Sequence, residues 1–153
     1  MSLPISIKVE KAIAGWLPSV LSITGMHYYE GHEKADAVET PHLVIYSEGS
    51  TAYPETPPEC GIRIVRLRCK FTADSDDSAR SSVNDWKQKL EAAMTDDLAT
   101  LKAALNKPVG TDNRTVKAIH FHHVSMSDDP SEHTQTDWIE DLIFDVVCEL
   151  LDA

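Results

Sequence analysis

The chain has 153 residues, of which 42% are hydrophobic and 25% charged, a size and balance that suit one globular domain with a continuous core and exclude wholesale disorder. Its formal net charge of −11 opposes capture of nucleic acid phosphates or of an anionic membrane surface. Apolar runs stop after a few residues, as in LVIY from Leu43 to Tyr46, whereas a bilayer-spanning helix needs roughly 20.

The opening MSLPISIKVEKAIAGW lacks the basic start and apolar block of a secretion signal, because Lys8 and Glu10 interrupt it. From Ile5 the apolar residues Ile5, Val9, Ala12, Ile13 and Trp16 recur at helical spacing. Pro4 suits a first turn, and Gly15 with Pro18 marks the far end, so a short amphipathic helix is expected. Residues 25–41 turn polar and read as a loop. HLVIYS, from His42 to Ser47, is short and rich in strand-favouring side chains. The segment Glu48–Gly61 follows, with three prolines and two glycines in 14 residues. It favours extended, exposed backbone. Loops of this length are uncommon in compact domains and often carry function.

IRIVRLRCKF is the clearest strand. Its period of two sets Val65, Leu67, Cys69 and Phe71 on one face and Arg66, Arg68 and Lys70 on the other. A basic row in so acidic a chain reads as a solvated face with covering aliphatic stems, or as a salt-bridged contact within the sheet or between subunits. TADSDDSAR supplies a turn and the capped start of a helix; a calcium loop is excluded by the missing glycine and terminal glutamate. Two helices follow. The first has the stripe Val83, Trp86, Leu90 and Ala93 or Met94. The second is capped by Thr95, Asp96 and Asp97 and has the stripe Leu98, Leu101 and Leu105.

Val116–Val124 alternates as a strand, and SMSDDPSEHTQT connects it to the close of the chain. The closing WIEDLIFDVVCELL fits a helix stripe as well as a strand; its β-branched and aromatic content favours the strand. Trp138, Leu142, Phe144, Val146 and Cys148 then share a face, and Asp141, Asp145 and Glu149 share the other with Ile143 and Val147. The acids mirror the basic row. Facing opposite charges on neighbouring strands contribute roughly 0.2–1 kcal/mol each, so these two strands are expected to be neighbours or to meet across a subunit boundary.

AIHFHHV carries three histidines in four residues. On a regular strand His120 and His122 share a side and could hold a metal, with His133, Asp128, Asp129 or Glu132 as a third ligand. No H-E-x-x-H or comparable frame accompanies them, and the expectation is a partly exposed sheet face with no metal and no cofactor. The three cysteines, Cys60, Cys69 and Cys148, include no C-x-x-C pair. Neither a disulfide framework nor a zinc knot is expected, and a reducing compartment is the simpler home. No G-x-S-x-G, P-loop or G-x-G-x-x-G occurs, and the paired acids Asp76–Asp77, Asp96–Asp97 and Asp128–Asp129 fall in turns and caps. An enzyme is not indicated.

The expected fold is a single α+β domain over residues 1–153. It has a mixed, mostly antiparallel four-stranded sheet flanked by an N-terminal helix and a helical crossover. In this order of elements, and in AIAGWL, PHLVIYSEG, GIRIVRLRCKFTADSDDSAR with the helix of Trp86 and Leu90, and WIEDLIFDVVCELL, the chain resembles the tail terminator and tail completion (minor tail, neck-type) proteins of long-tailed bacteriophages. That resemblance implies a structural protein without catalytic residues. It would form a homo-oligomeric ring, commonly a hexamer, that caps the tail tube and docks to the head side. The implied partners are other copies, the tail tube and head-completion proteins, with no specific nucleic acid and no membrane. The implied location is the virion tail, with the host cytoplasm during assembly. Under it the Glu48–Gly61 loop, with Tyr53, Pro54 and Pro57, is the candidate contact to a neighbour or the tube. Arg66, Arg68, Lys70, Asp141, Asp145 and Glu149 become candidates for the seam. An acidic lumen would let DNA slip through. The stretch GMHYYEGHEKADAVETP has no counterpart in that pattern. The rival readings are a small metal-dependent enzyme using His120, His122 and a loop acid, and an acidic inhibitor-type protein that docks on a basic surface.

Overall fold

A computed structural model describes residues 4–31, 39–52, 54, 62–74, 76–96, 98–105, 116–128, 132–133 and 137–152; of residues 98, 116–128, 132, 133, 137 and 149–152 it gives the backbone. The described elements are α1 (Ile5–Leu21), β1 (His27–Glu30), β2 (His42–Ala52), β3 (Ile62–Asp74), α2 (Ala79–Asp96), α3 (Leu98–Leu105), β4 (Val116–Asp128), β5 (Glu132–His133) and β6 (Asp137–Asp152). The strands form one sheet in the order β1-β2-β3-β6-β4, with β5 also pairing β6. The β1–β2 pair is parallel and every other pair is antiparallel. The fold is therefore the expected α+β arrangement, and the four expected strands are its four long ones.

The N-terminal helix buries Ile5, Val9, Ala12, Ile13, Leu17 and Leu21, the stripe that a 3.6-residue period dictates. It does not stop at Gly15 and Pro18 as expected. A proline inside a helix removes one hydrogen bond and crowds the preceding turn, at about 3 kcal/mol. Complete burial of Leu17 and near-complete burial of Leu21, about 1.5–3 kcal/mol each, offset that. The helix ends at Ser22, in left-handed backbone (φ 48°), whose N–H donates to the Pro18 carbonyl at 3.2 Å.

Helices α1, α2 and α3 pack on one another and on one face of the sheet. That face contributes Leu43 and Ile45 from β2, Val65, Leu67, Cys69 and Phe71 from β3, and Leu142, Phe144, Val146 and Cys148 from β6 to the core. Phe71 meets Trp86 of α2 with ring centroids 6.0 Å apart. The closing segment is a strand because only a period of two buries Leu142, Phe144, Val146 and Cys148 together between β3 and β4.

Three stretches differ from the sequence reading. Residues 25–41 contain β1, which runs parallel to β2 from the rung His27–His42 to Glu30–Ile45; four residues at an edge draw their stability from the partner strand rather than from local propensity. The end of that stretch is held as well, since the Thr40 hydroxyl donates to Asp74 at 2.7 Å. Strand β2 runs five residues past Ser47 into the expected Glu48–Gly61 loop. It does so through an irregularity between Ser47 and Ser50, where Gly49 takes φ 101°, a conformation that side chains resist. Strand β4 likewise extends to Asp128, and β5 lies within the expected connection. Thr95 does not cap α3: its hydroxyl donates back to the Glu91 carbonyl at 2.7 Å. Asp97 lies outside the described residues.

Candidate interaction surface

Alternation along the strands gives the sheet a second face, on which none of the described helices packs. It carries Val44, Tyr46 and Glu48 from β2, Ile64, Arg66, Arg68 and Lys70 from β3, and Asp141, Ile143, Asp145 and Val147 from β6. The β3–β6 register sets Ile64 opposite Val147, Arg66 opposite Asp145, Arg68 opposite Ile143 and Lys70 opposite Asp141. The basic and acidic rows are thus neighbours within one sheet, as the charge pattern had indicated.

Arg66 grips Asp145 in a two-pronged pair, Nε to Oδ1 at 2.9 Å and Nη2 to Oδ2 at 3.2 Å. The hydrogen bond and the charge of Asp145 raise the Arg66 pKa above its ordinary value, against a small opposing effect of burial. The pair remains wet, with 54% of the Arg66 side chain and 30% of that of Asp145 exposed, so its stabilisation is about 0.2–1 kcal/mol. Arg68 spans three strands. Its Nη1 donates to Asp141 Oδ2 at 2.6 Å and its Nε to Glu48 of β2. Asp141, only 7% exposed, is thereby matched inside the sheet. Lys70, although opposite Asp141, forms no ion pair among the described residues. Three cations and three carboxylates leave this face neutral in a chain of net charge −11. Beside Arg66 the β2 irregularity opens a shallow cleft of about 400 Å³, lined by Gly49, Ser50, Thr51 and Ile64.

Of the other candidate interface residues, Pro54 lies in an exposed turn, while Tyr53 and Pro57 fall outside the described residues. Glu149 is placed by its backbone, opposite Ile62 of β3 and His120 of β4. The histidine strand departs from the regular alternation expected of it. The β4 register slips between Phe121 and His123, which sets His123 opposite Val147 and leaves His122 as the extra residue. Strict two-residue spacing, which would align His120 with His122, is interrupted there. Of the possible third ligands, Asp128, Glu132 and His133 lie on β4 and β5, and Asp129 is outside the described residues. No group of three or more His, Cys, Asp or Glu able to hold a metal occurs among the residues whose side chains are described, which do not include these.

Two polar clusters behind the sheet have no counterpart in the sequence reading. Lys87 of α2 reaches Glu140 Oε1 at 3.1 Å, and Trp138 Nε1 donates to Glu140 Oε2 at 2.6 Å. Glu140 sits on the core face by parity with Trp138 and Leu142, so the same alternation that found the apolar row marks it. Glu10 of α1, 7% exposed, accepts the Ser47 amide at 2.8 Å and so satisfies a backbone donor where the β2 ladder is disturbed. Cys69 and Cys148 are buried and free, and burial pushes both thiols up to about 12. They are packing groups rather than nucleophiles. Cys60 is outside the described residues. Asp76 takes the turn role expected of it, accepting the Ser78 amide and hydroxyl at 2.9 and 2.8 Å, which lowers its pKa. No helix among the described residues is long and apolar enough to cross a membrane.

Fold and surface together define a two-layer α+β domain, with helices on one side of a mixed sheet and a neutral charged mosaic on the other. No family model and no curated protein matches the sequence.

Proposed function

We propose that the chain is a non-enzymatic structural protein that assembles with copies of itself into a ring of the phage or prophage tail kind. In this reading it terminates or completes a tail tube and joins it to the head side, in the virion tail, after assembly in the host cytoplasm. The observation that carries it is the open sheet. Its order ends in β1, four residues long, at one edge and β4, 13 residues long, at the other. Among the described residues β4 pairs only with β6. An edge of that length is a template for a strand of another molecule. A contact from one edge to a different surface of the next copy is heterologous, and such contacts close into a ring when the rotation per copy divides a full turn.

The resemblance supplies the expected ring, a hexamer, and the partners, a tail tube and head-completion proteins. Tyr53, Pro54 and Pro57 are the candidate contacts to a neighbour or the tube, and Glu149, at the β6 end nearest His120, belongs to the candidate seam. The acidity suits a lumen that passes DNA without holding it. Negative-stain imaging and native mass spectrometry of the chain, alone and mixed with the tail-tube protein encoded beside it, test the reading. Rings are expected in at least the mixture; monomers in both would overturn it.

A further inference from the structure

We infer that the helix-free face of the sheet docks the same face of a second copy, about a two-fold axis running parallel to the strands between β3 and β6. The inference shares with the ring reading the premise that the partner is another copy. It uses a different surface, so the pair forms with or without edge contacts.

Charge selects the face. The six charged groups Glu48, Arg66, Arg68, Lys70, Asp141 and Asp145 cancel, so the whole net charge of −11 is carried elsewhere on the molecule. Like copies repel through an acidic surface and meet without net repulsion through a neutral one. The register then fixes how they meet. Rotation about an axis parallel to the strands keeps each residue's height along the strand and exchanges the positions of β3 and β6. Each β3 residue is therefore set over the residue of the second copy's β6 that it already opposes in its own sheet.

The four rungs named above become four matched contacts. Ile64 lies over Val147, apolar on apolar. Arg66 lies over Asp145 of the second copy, and Asp145 over its Arg66. Arg68 covers Ile143 with its aliphatic stem. Lys70, which has no ion pair among the described residues, comes over the carboxylate row. Aligned sheets pack about 10 Å apart with their strands within about 30°, so the match is closest at the central Arg66 and Arg68 rungs. Both partners of the central pair are accessible, at 54% and 30% exposure.

A charge swap within one chain tests this. Arg66→Asp with Asp145→Arg restores the cross-strand pair inside the chain and also restores complementarity between two swapped copies. Between a swapped and an unswapped copy it sets arginine over arginine and aspartate over aspartate. Native mass spectrometry of an isotope-labelled unswapped chain mixed with the swapped one is expected to show both homodimers, with mixed dimers at least tenfold below the statistical half. Mixed dimers at the statistical half, in a protein that does self-associate, would overturn the face while leaving self-assembly intact. Absence of any self-association at the highest soluble concentration would overturn both. Selective pairing without rings would leave the face standing and remove the ring. If the swapped chain fails to fold, Ile64→Asp serves instead: it is expected to abolish pairing, and pairing that persists would overturn the inference.

Discussion

Arg66 and Arg68 stand two residues apart on one strand face, and their surroundings give them different work. Arg66 is largely exposed and bound to one carboxylate on one neighbouring strand, so its pair contributes little and is open to a competing partner. Arg68 is 18% exposed and ties β2 to β6 through Glu48 and Asp141, where loss of the cation would leave Asp141 enclosed without its match. The same asymmetry governs the core side. Lys87 and Glu140 have side chains only 14% and 9% exposed, and removing one member of an enclosed pair costs about 3–5 kcal/mol. Lys87→Ala is expected near the low end of that range in urea unfolding, since Trp138 still donates to Glu140. Lys87→Met with Glu140→Leu is expected within about 1 kcal/mol of the parent, because no unmatched charge remains. The cysteines provide a check of burial that mutates nothing. With thiols raised to about 12, Cys69 and Cys148 are expected to resist a maleimide at pH 7.5 for hours in the folded protein and to react within minutes in denaturant. Rapid native labelling of either would show that the core opens locally.

At the level of elements, α1 shows tertiary packing overriding a local stop signal. Its proline costs a hydrogen bond that the burial of Leu17 and Leu21 offsets, so Pro18→Ala is expected to raise the urea midpoint, by about 1–2 kcal/mol after allowing for the freer unfolded chain. A fall instead would show that the bend at Pro18 is what carries Leu21 into the core. The elements legible in the sequence are those with a long, clean period: the α1 stripe, the β3 alternation and the closing strand, each of which repeats its pattern over several turns or rungs. From those two strands the facing charge rows were legible too, because parity and sign together name the neighbours. What stayed hidden depends on a partner distant in sequence. Strand β1 exists by pairing with β2, the β2 extension rests on Gly49 and on Glu10 reaching Ser47, and His122 loses its place in the alternation through a one-residue slip against β6. Glu48, the third carboxylate of the face, was hidden for the same reason: it read as loop, and only the continuing strand brings it to Arg68.

For the molecule as a whole, the strand order sets where it is most firmly held. Strands β3 and β6 each have neighbours on both sides, and their core-facing side chains include Leu67, Phe71, Leu142 and Phe144, all with 0% exposure. The edges β1 and β4 have one neighbour each among the described strands. Amide protection follows paired and buried backbone, so the slowest hydrogen exchange is expected in residues 65–72 and 140–148, with β1 exchanging early. Strand β4 is the informative element, because half of its amides point away from β6. In dilute protein those amides are expected to exchange far faster than their β6-bonded neighbours. Where copies associate through sheet edges, the outward set slows to match the inward set; where copies associate only through the helix-free face, it stays fast at every concentration. A concentration series of exchange measurements on β4 therefore reads which surface of the sheet the molecule uses, and full protection of β4 in a monodisperse monomer would remove the open edge on which the ring reading rests.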